Sequence, residues 1–493
     1  MAEMQLLHGG IANAWECDEN AHLNVRGYVH KSWEGLQILL AISRSLAIAG
    51  QPAQLVIATC DAVEAASGQV LDDQQGGEAG TGEICRGWAH RMLWGFARTL
   101  AQEHRELTIR LLDVDERGSW FAALAAELAD IARSAKAGNA EARHEDHPVE
   151  PMVAWRDGER LVPRLAAIEP ADGPTIELSP DKYYVITGAS GGLGKQLVAW
   201  MSERGATRLV LISRSIDISQ FSDLEISATE LRCRPCDVAN AEELAVALAW
   251  NPDTSPPDDP RLGGVIHAAG VLKDGFIVNQ DWAAHERVLA AKLDGAWNLH
   301  QATMGRDLDF FVCFSSAAAL LGSRGQASYA AANAAIDGLC AHRRALGLAA
   351  TSINRGPWQG RGMAASVEHR VLQSLPPEQA LGALASHGAG PHVQLAAVKL
   401  RWDELAGTEL GADPLLADLE RPSSRSGANR ATSPSVSSTQ RDDEDRDAYI
   451  ARRLREITAA ILRMEPETID MDAQFQDLGV DSMMATEIKE DAE

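Results

Sequence analysis

Two hydroxyl-bearing residues in the chain are spaced for acid chemistry. Ser316 closes the apolar run "DFFVCFSS", and Tyr329 follows it by thirteen residues across "AAALLGSRGQAS". Reducing a ketone takes a hydride from a nicotinamide and a proton from a donor aimed at the carbonyl oxygen. A serine can orient that oxygen and a phenol can give up the proton. An unperturbed phenol titrates at about 10, so a nearby cation must favour its ionised form before it donates well near neutrality. Ser315 offers a second hydroxyl for the orienting part.

A hydride donor needs a berth, and "TGASGGLG" is suited to one. It follows the apolar run "YYVITG" and precedes the helix-like "KQLVAWMSERG", so Thr187, Gly188, Ser190, Gly191, Gly192, Leu193 and Gly194 form a strand-to-helix turn. Glycines let such a turn approach a pyrophosphate, and the free N–H groups of the helix start meet its charge. The next strand ends "LISRS", placing Ser213 and Arg214 where NAD-binding chains carry an acidic residue for the ribose 2'-hydroxyl. A hydroxyl and a guanidinium there suit a 2'-phosphate, hence NADPH. Arg214 as a plain surface charge is the competing reading. Asp237 and Val238 after the third strand, and Ala268, Ala269 and Gly270 after the fourth, are expected along the adenine and ribose.

Strands and helices that could position these groups alternate twice. The first series runs through "QLVIAT", "GWAHRMLWGFARTLAQEH", "LTIRLLDV", a helical stretch from Phe121 and "PMVAWR"; the second runs through "YYVITG", "RLVLISR", "GGVIHAAG" and "DFFVCFSS". Nearly continuous apolar strands between helices predict parallel sheets covered on both faces. Two α/β units side by side are therefore expected. The first lacks the glycine turn, since "QLVIAT" runs into "CDAVEAAS"; it is read as a scaffold without cofactor.

The 493 residues allow two to four domains, and 45 Lys+Arg against 70 Asp+Glu give a formal charge of -25. That charge repels phosphate backbones and anionic lipid, so neither nucleic acid nor a membrane surface is expected as a partner. The start "MAEMQLLHGG" has neither a basic nor an apolar targeting region, and no apolar run is long enough to span a bilayer; a cytoplasmic chain is expected. Seven cysteines are scattered, and the close pair Cys233 and Cys236 in "CRPC" has no second pair at metal-ligand spacing. His144 and His147 flank two acids in a charged segment that reads as solvated loop. No metal site is expected. From Arg421 to Arg446, "RPSSRSGANRATSPSVSSTQRDDEDR" has too little apolar surface to offset its ordering entropy and reads as a linker.

The tyrosine stretch "SYAAAN" is similar to that of short-chain reductases, which carry lysine four residues after the tyrosine where this chain has Asn333. With "SRS", "HAAGV", "KLDGAWNLH" and "RGPWQGRGMA", the pattern resembles the ketoreductase domain of modular type I polyketide synthases over most of the chain. In that family the lysine sits on the preceding helix and asparagine takes its old place. The resemblance thus implies Lys292, Ser316, Tyr329 and Asn333 as the catalytic set. A surface role for Lys292, and Ser315 in place of Ser316, stay open. It further implies a Rossmann-like structural subdomain over 1–165 and an NADPH-binding catalytic subdomain over 166–420. On the substrate side it implies Leu272, Asp274, Leu321 and Met363. "LKD" is similar to the Leu-Asp-Asp marker of B-type ketoreductases with one Asp replaced by Lys273, and Leu321 stands where A-type relatives carry tryptophan.

Beyond the linker, "GVDSM" resembles the GxDSL-type motif of acyl carrier domains, which implies a phosphopantetheine arm on Ser482; an ordinary helix-capping serine is the bland alternative. Residues 447–493 are expected to form a truncated, partly helical carrier domain. The resemblance implies reduction of a β-ketoacyl thioester beside ketosynthase and acyltransferase domains, with a dehydratase as an optional neighbour. The alternative is a non-catalytic structural or interaction segment of a megasynthase, and a free-standing alcohol dehydrogenase explains neither the first α/β unit nor the carrier motif.

Overall fold

The computed structural model describes residues 25–64, 87–115, 120–141, 150–168, 176–224, 226, 229–251, 260–359, 371–405, 408 and 410–419, with the isolated positions 455 and 459. The chain divides after residue 420 into two compact units. The linker, the carrier segment with Ser482, Met363 and the stretch holding His144 and His147 lie outside the described residues, but for positions 455 and 459.

The first unit opens with helix α1 (Val25–Ala49) and a four-stranded sheet in the order β1 (Ala53–Cys60), β2 (Leu107–Val114), β3 (Met152–Arg156), β4 (Glu159–Leu161). β1, β2 and β3 are parallel and β4 turns back antiparallel on β3. Helices α2 (Arg91–Glu103) and α3 (Trp120–Glu141) follow β1 and β2. Along β1, buried residues alternate with half-buried ones, so one face is better covered than the other.

The second sheet is larger and wholly parallel. In chain order it contains β5 (Lys182–Thr187), β6 (Arg208–Ser213), β7 (Glu230–Pro235), β8 (Arg261–His267), β9 (Phe310–Ser316), β10 (Thr351–Arg355) and, beyond the short β11 (Leu372–Gln373), β12 (Gln394–Ala397). A last short strand, β13 (Lys399–Leu400), pairs antiparallel with β11. The spatial order is β12-β10-β9-β8-β5-β6-β7. After the first residue, β5 and β6 are buried at every position, which is why their sequences are apolar runs without alternation. The order reverses at β5, where β6 lies on one side and β8 on the other. A reversal of this kind opens a crevice at the carboxyl ends of the strands.

Helices α4 (Gly192–Glu203), α5 (Ala241–Ala247), α6 (Trp282–Leu289), α7 (Gly295–Thr303), α8 (Ala317–Leu321), α9 (Ala327–Ala345), α10 (Pro377–His387) and α11 (Trp402–Leu405) complete the unit. Several start on caps that the sequence declares: Asn240 accepts from the N–H groups of Glu242 and Glu243, and Asp281 from that of Ala284. The two sheets are joined through helices, with α2 packed along α9. A Cβ on Gly95 would lie 2.3 Å from the Ala330 carbonyl oxygen, so glycine is what lets these backbones approach.

Candidate active site

At the β5/β8 crevice lies a cleft of about 800 Å³. Its floor is the glycine turn: Gly188 has φ +70°, and a Cβ there would lie 2.7 Å from the Ala269 nitrogen. Gly191 caps α4, and Gly192, Leu193 and Gly194 form its first turn. The Ser190 N–H donates to Ser213 Oγ at 3.2 Å, tying the turn to the end of β6. Arg214 and Asp237–Val238 line one side, and Ala268–Gly270 with Leu272 the other. Thr187 stays behind the cleft, fully buried, with its hydroxyl 2.8 Å from His267 Nδ1. The lining also carries Lys273, Arg287 and Arg355 against the single carboxylate of Asp237. In a chain of formal charge -25 this concentrates cations where a polyphosphate would sit. Volume, glycine cradle and charge all fit a nicotinamide dinucleotide.

Lys292, Ser316 and Tyr329 are not part of the cleft lining; Lys292 lies behind Gly270, and Ser316 stands opposite Arg355 on the neighbouring strand. The Lys292 side chain passes under Gly270, with Cε 2.7 Å from where a Cβ would stand. Lys292 sits in a π-helical turn (Ala290–Asp294) between α6 and α7 and is 3% exposed, which removes the surface-lysine alternative. Its ammonium donates to the Phe314 carbonyl at 2.6 Å and lies 5.8 Å from the centre of the Tyr329 ring. Burial pushes the Tyr329 phenol up, but the lowering influences, led by the charges of Lys292 and Arg355, together hold it below its ordinary value. The Asn333 and Ser316 side chains add to the lowering. Burial in turn pulls the Lys292 ammonium down. A phenol so placed is an acid readied for proton donation.

The two serines separate cleanly. Ser315 is fully buried; its hydroxyl donates to the Asn333 carbonyl at 3.3 Å and accepts from Asn354 Nδ2 at 3.0 Å. Asn354 also donates to Asp337, which accepts from Ser352 and from Gln394, so β10 and the start of β12 are bonded to α9. Ser316 is half-buried and caps α8 by accepting from the Ala318 N–H at 3.2 Å. Asn333 donates to the Tyr329 carbonyl at 2.7 Å within α9, and its Oδ1 is buried without a hydrogen-bond partner.

Asp274 accepts from Gln326 Nε2 at 3.2 and 3.3 Å, joining the loop after β8 to the one before α9. Leu321 is buried in the core at the end of α8 and does not reach the cleft. Cys233 lies on β7 and Cys236 just beyond it, both as free thiols. Among the described residues no group of His, Cys, Asp or Glu could hold a metal, and no helix is long and apolar enough to cross a membrane.

Three residues at the site were not singled out from the sequence. Arg355 ends β10 facing the cleft, a strand-end position that could have marked it. His267 ends β8, and burial first, then the Lys292 charge, lowers its pKa to about 3. The neutral ring has one proton, and a carbonyl can only accept, so Nε2–H donates to the Lys292 carbonyl at 3.0 Å while Nδ1 accepts from Thr187. Glu103 reaches this region from α2.

Comparison with known proteins agrees with this geometry. The family model for the KR domain matches residues 183–360, and that for the phosphopantetheine attachment site matches 452–493. A solved structure of A-type ketoreductases from a modular polyketide synthase is 30% identical, with TM-score 0.65 over 77% of this chain and 76% of that one. The chain belongs to the polyketide synthase ketoreductases. This ketoreductase is also 33% identical, over 81% of its length, to a phenolphthiocerol/phthiocerol polyketide synthase of Mycobacterium tuberculosis (strain CDC 1551 / Oshkosh), and 35% identical, over 80%, to polyketide synthase GfsE of Streptomyces halstedii. It spans 22% and 10% of the lengths of these two relatives.

Proposed function

We propose that this ketoreductase uses NADPH to reduce the β-keto group of a carrier-bound polyketide thioester to a hydroxyl. The observation that carries the reading is the buried Lys292 ammonium beside the Tyr329 ring, directly beyond a cationic dinucleotide-sized cleft. Bound there, the nicotinamide would supply the hydride. Tyr329 gives the proton to the carbonyl oxygen, Ser316 orients that oxygen, and Lys292 stabilises the phenolate left behind. Asn333 acts within the same set by holding the backbone carbonyl of Tyr329. Ser315 is set aside as the orienting group because both β10 and α9 already engage its hydroxyl.

The cofactor assignment rests on Ser213 and Arg214, the latter an exposed guanidinium at the cleft edge where a 2'-phosphate would lie. The B-type stereochemical assignment rests on Leu272 and Asp274 in the loop after β8 and on leucine, not tryptophan, at 321. The likeness to an A-type structure, at 30% identity, does not decide it. We assign 1–165 as the structural subdomain, 166–420 as the catalytic one, 421–446 as linker and 447–493 as carrier sequence whose Ser482 takes phosphopantetheine. Ketosynthase and acyltransferase domains are the expected neighbours. The test is NADPH oxidation on adding a bicyclic ketone or a β-keto thioester. No turnover by a folded, NADPH-binding chain would favour the alternative of a non-catalytic segment.

A further inference from the structure

The last residue of α2 belongs to the sheet unit that lacks the glycine turn, yet it holds two loops of the catalytic unit. Glu103 Oε2 accepts from the Ile277 N–H and Oε1 from the Gly325 N–H, both at 2.8 Å. The first amide lies just beyond the loop that carries Leu272 and Asp274. The second lies two residues before α9, the helix that presents Tyr329. Those loops also touch directly, since the Gly275 N–H donates to the Gly325 carbonyl at 2.8 Å and Gln326 donates to Asp274.

The grip of α2 on the second loop extends beyond Glu103. Gln102 donates to the Leu321 carbonyl at 2.5 Å, the Ser323 N–H donates to Thr99 Oγ1 at 3.2 Å, and Arg324 donates to the Gln102 carbonyl at 2.9 Å. Among these contacts Glu103 alone spans both loops with one side chain. A carboxylate is suited to this, because it offers two acceptor oxygens and no donor. Burial holds the Glu103 carboxyl above its ordinary pKa, opposed first by the two amides and then by His104 and Arg324.

Resting on the functional reading above, we propose that Glu103 is a positioning residue that fixes the spacing between the Leu272–Asp274 loop and Tyr329, and thereby the face of the β-ketone that receives the hydride. Substrate bound against the first loop is presented to a proton donor set by the second. If the clamp loosens, both orientations of the thioester fit, and the minor alcohol gains.

Two variants of the full chain test this: Glu103→Gln, which keeps the shape but can accept only one of the two bonds, and Glu103→Ala, which accepts neither. Amide hydrogen exchange, which needs no turnover, should be at least roughly tenfold faster at Ile277 and Gly325 in the alanine variant and unchanged in β5 and β6. With a simple β-keto thioester, the minor stereoisomer should rise severalfold in both variants and kcat/KM should fall about tenfold, while the Kd for NADPH stays within about twofold. Unchanged exchange at both amides overturns the clamp, and so does faster exchange with an unaltered stereoisomer ratio. A wild-type chain that reduces no β-keto thioester sinks the functional reading instead, and the exchange data still judge the contact.

Discussion

Lys292 holds its ammonium 5.8 Å from the centre of the Tyr329 ring while hydrogen-bonded to the Phe314 carbonyl. The bond anchors the charge beside the ring, where it lowers the phenol. Tyr329→Phe should therefore cut reduction by roughly 10²- to 10⁴-fold and leave NADPH binding intact. Near-normal turnover by that variant would refute the assignment.

Lys292→Met keeps the length of the side chain and removes its charge. Since the Lys292 charge is the largest influence lowering the Tyr329 pKa, the alkaline inflection of the pH–rate profile should move to higher pH. Turnover near neutrality should drop by about 10²-fold or more. An inflection at the wild-type position would mean that Arg355 alone sets the phenol.

In the proposed NADPH complex Arg214 would present a planar fork to the 2'-phosphate, and a charge-assisted hydrogen bond of that kind contributes about 1.5 to 3 kcal/mol. Arg214→Ala should weaken NADPH roughly ten- to a hundredfold and NADH little. Titration of both cofactors by fluorescence decides; equal losses would remove Arg214 from the 2'-phosphate.

Chiral chromatography of the alcohol formed from a simple β-keto thioester should show mainly the D (3R-type) product. That outcome rests on the proposed B-type reading of Leu272, Asp274 and Leu321. A mostly L alcohol would assign the entry side to the opposite type.

His267 and His300 are both buried with pKa values lowered to about 3, by burial first and then by the neighbouring charges of Lys292 and Arg343 respectively. Below pH 6.5 the unfolded chain takes up protons that the folded chain refuses, so stability falls as pH drops from 6.5 toward about 3. Each histidine contributes up to about 1.4 kcal/mol per pH unit in that window. Urea midpoints between pH 7 and pH 5 should show the loss, and His267→Gln should have a shallower pH slope than the parent. Parallel slopes would mean that His267 titrates normally in the fold.

The strands were legible because burial on both faces leaves no room for polar residues: "KYYVIT" and "RLVLIS" became β5 and β6 with little displaced. The glycine turn was legible for a related reason, since Gly188 needs a positive φ and no side chain can stand there. Ser315 and Ser316 could be told apart only by seeing that the Ser315 hydroxyl is buried and both donates and accepts, while that of Ser316 accepts from one backbone N–H. Glu103 was invisible, because its partners lie 174 and 222 residues away along the chain and nothing local marks it. The π-helical turn under Lys292 was likewise hidden, as its sequence "AAKLD" is ordinary helix composition. Leu321 illustrates the opposite case: its position relative to Tyr329 was readable, but its burial came from packing that the spacing does not encode.

The close approach of α2 to α9 at Gly95 has a bearing on how synthases of this type can be recombined. A chimera spliced in the segment between β4 and β5 looks modular on a sequence map, yet it would set a foreign α2 against the native catalytic helix. Any parent with alanine or larger at position 95 would force a Cβ to within 2.3 Å of the Ala330 carbonyl oxygen and push α9 outward, carrying Tyr329 with it. Exchange points for such chimeras therefore belong ahead of α1 and beyond residue 420, so that the helix pair is inherited from one parent.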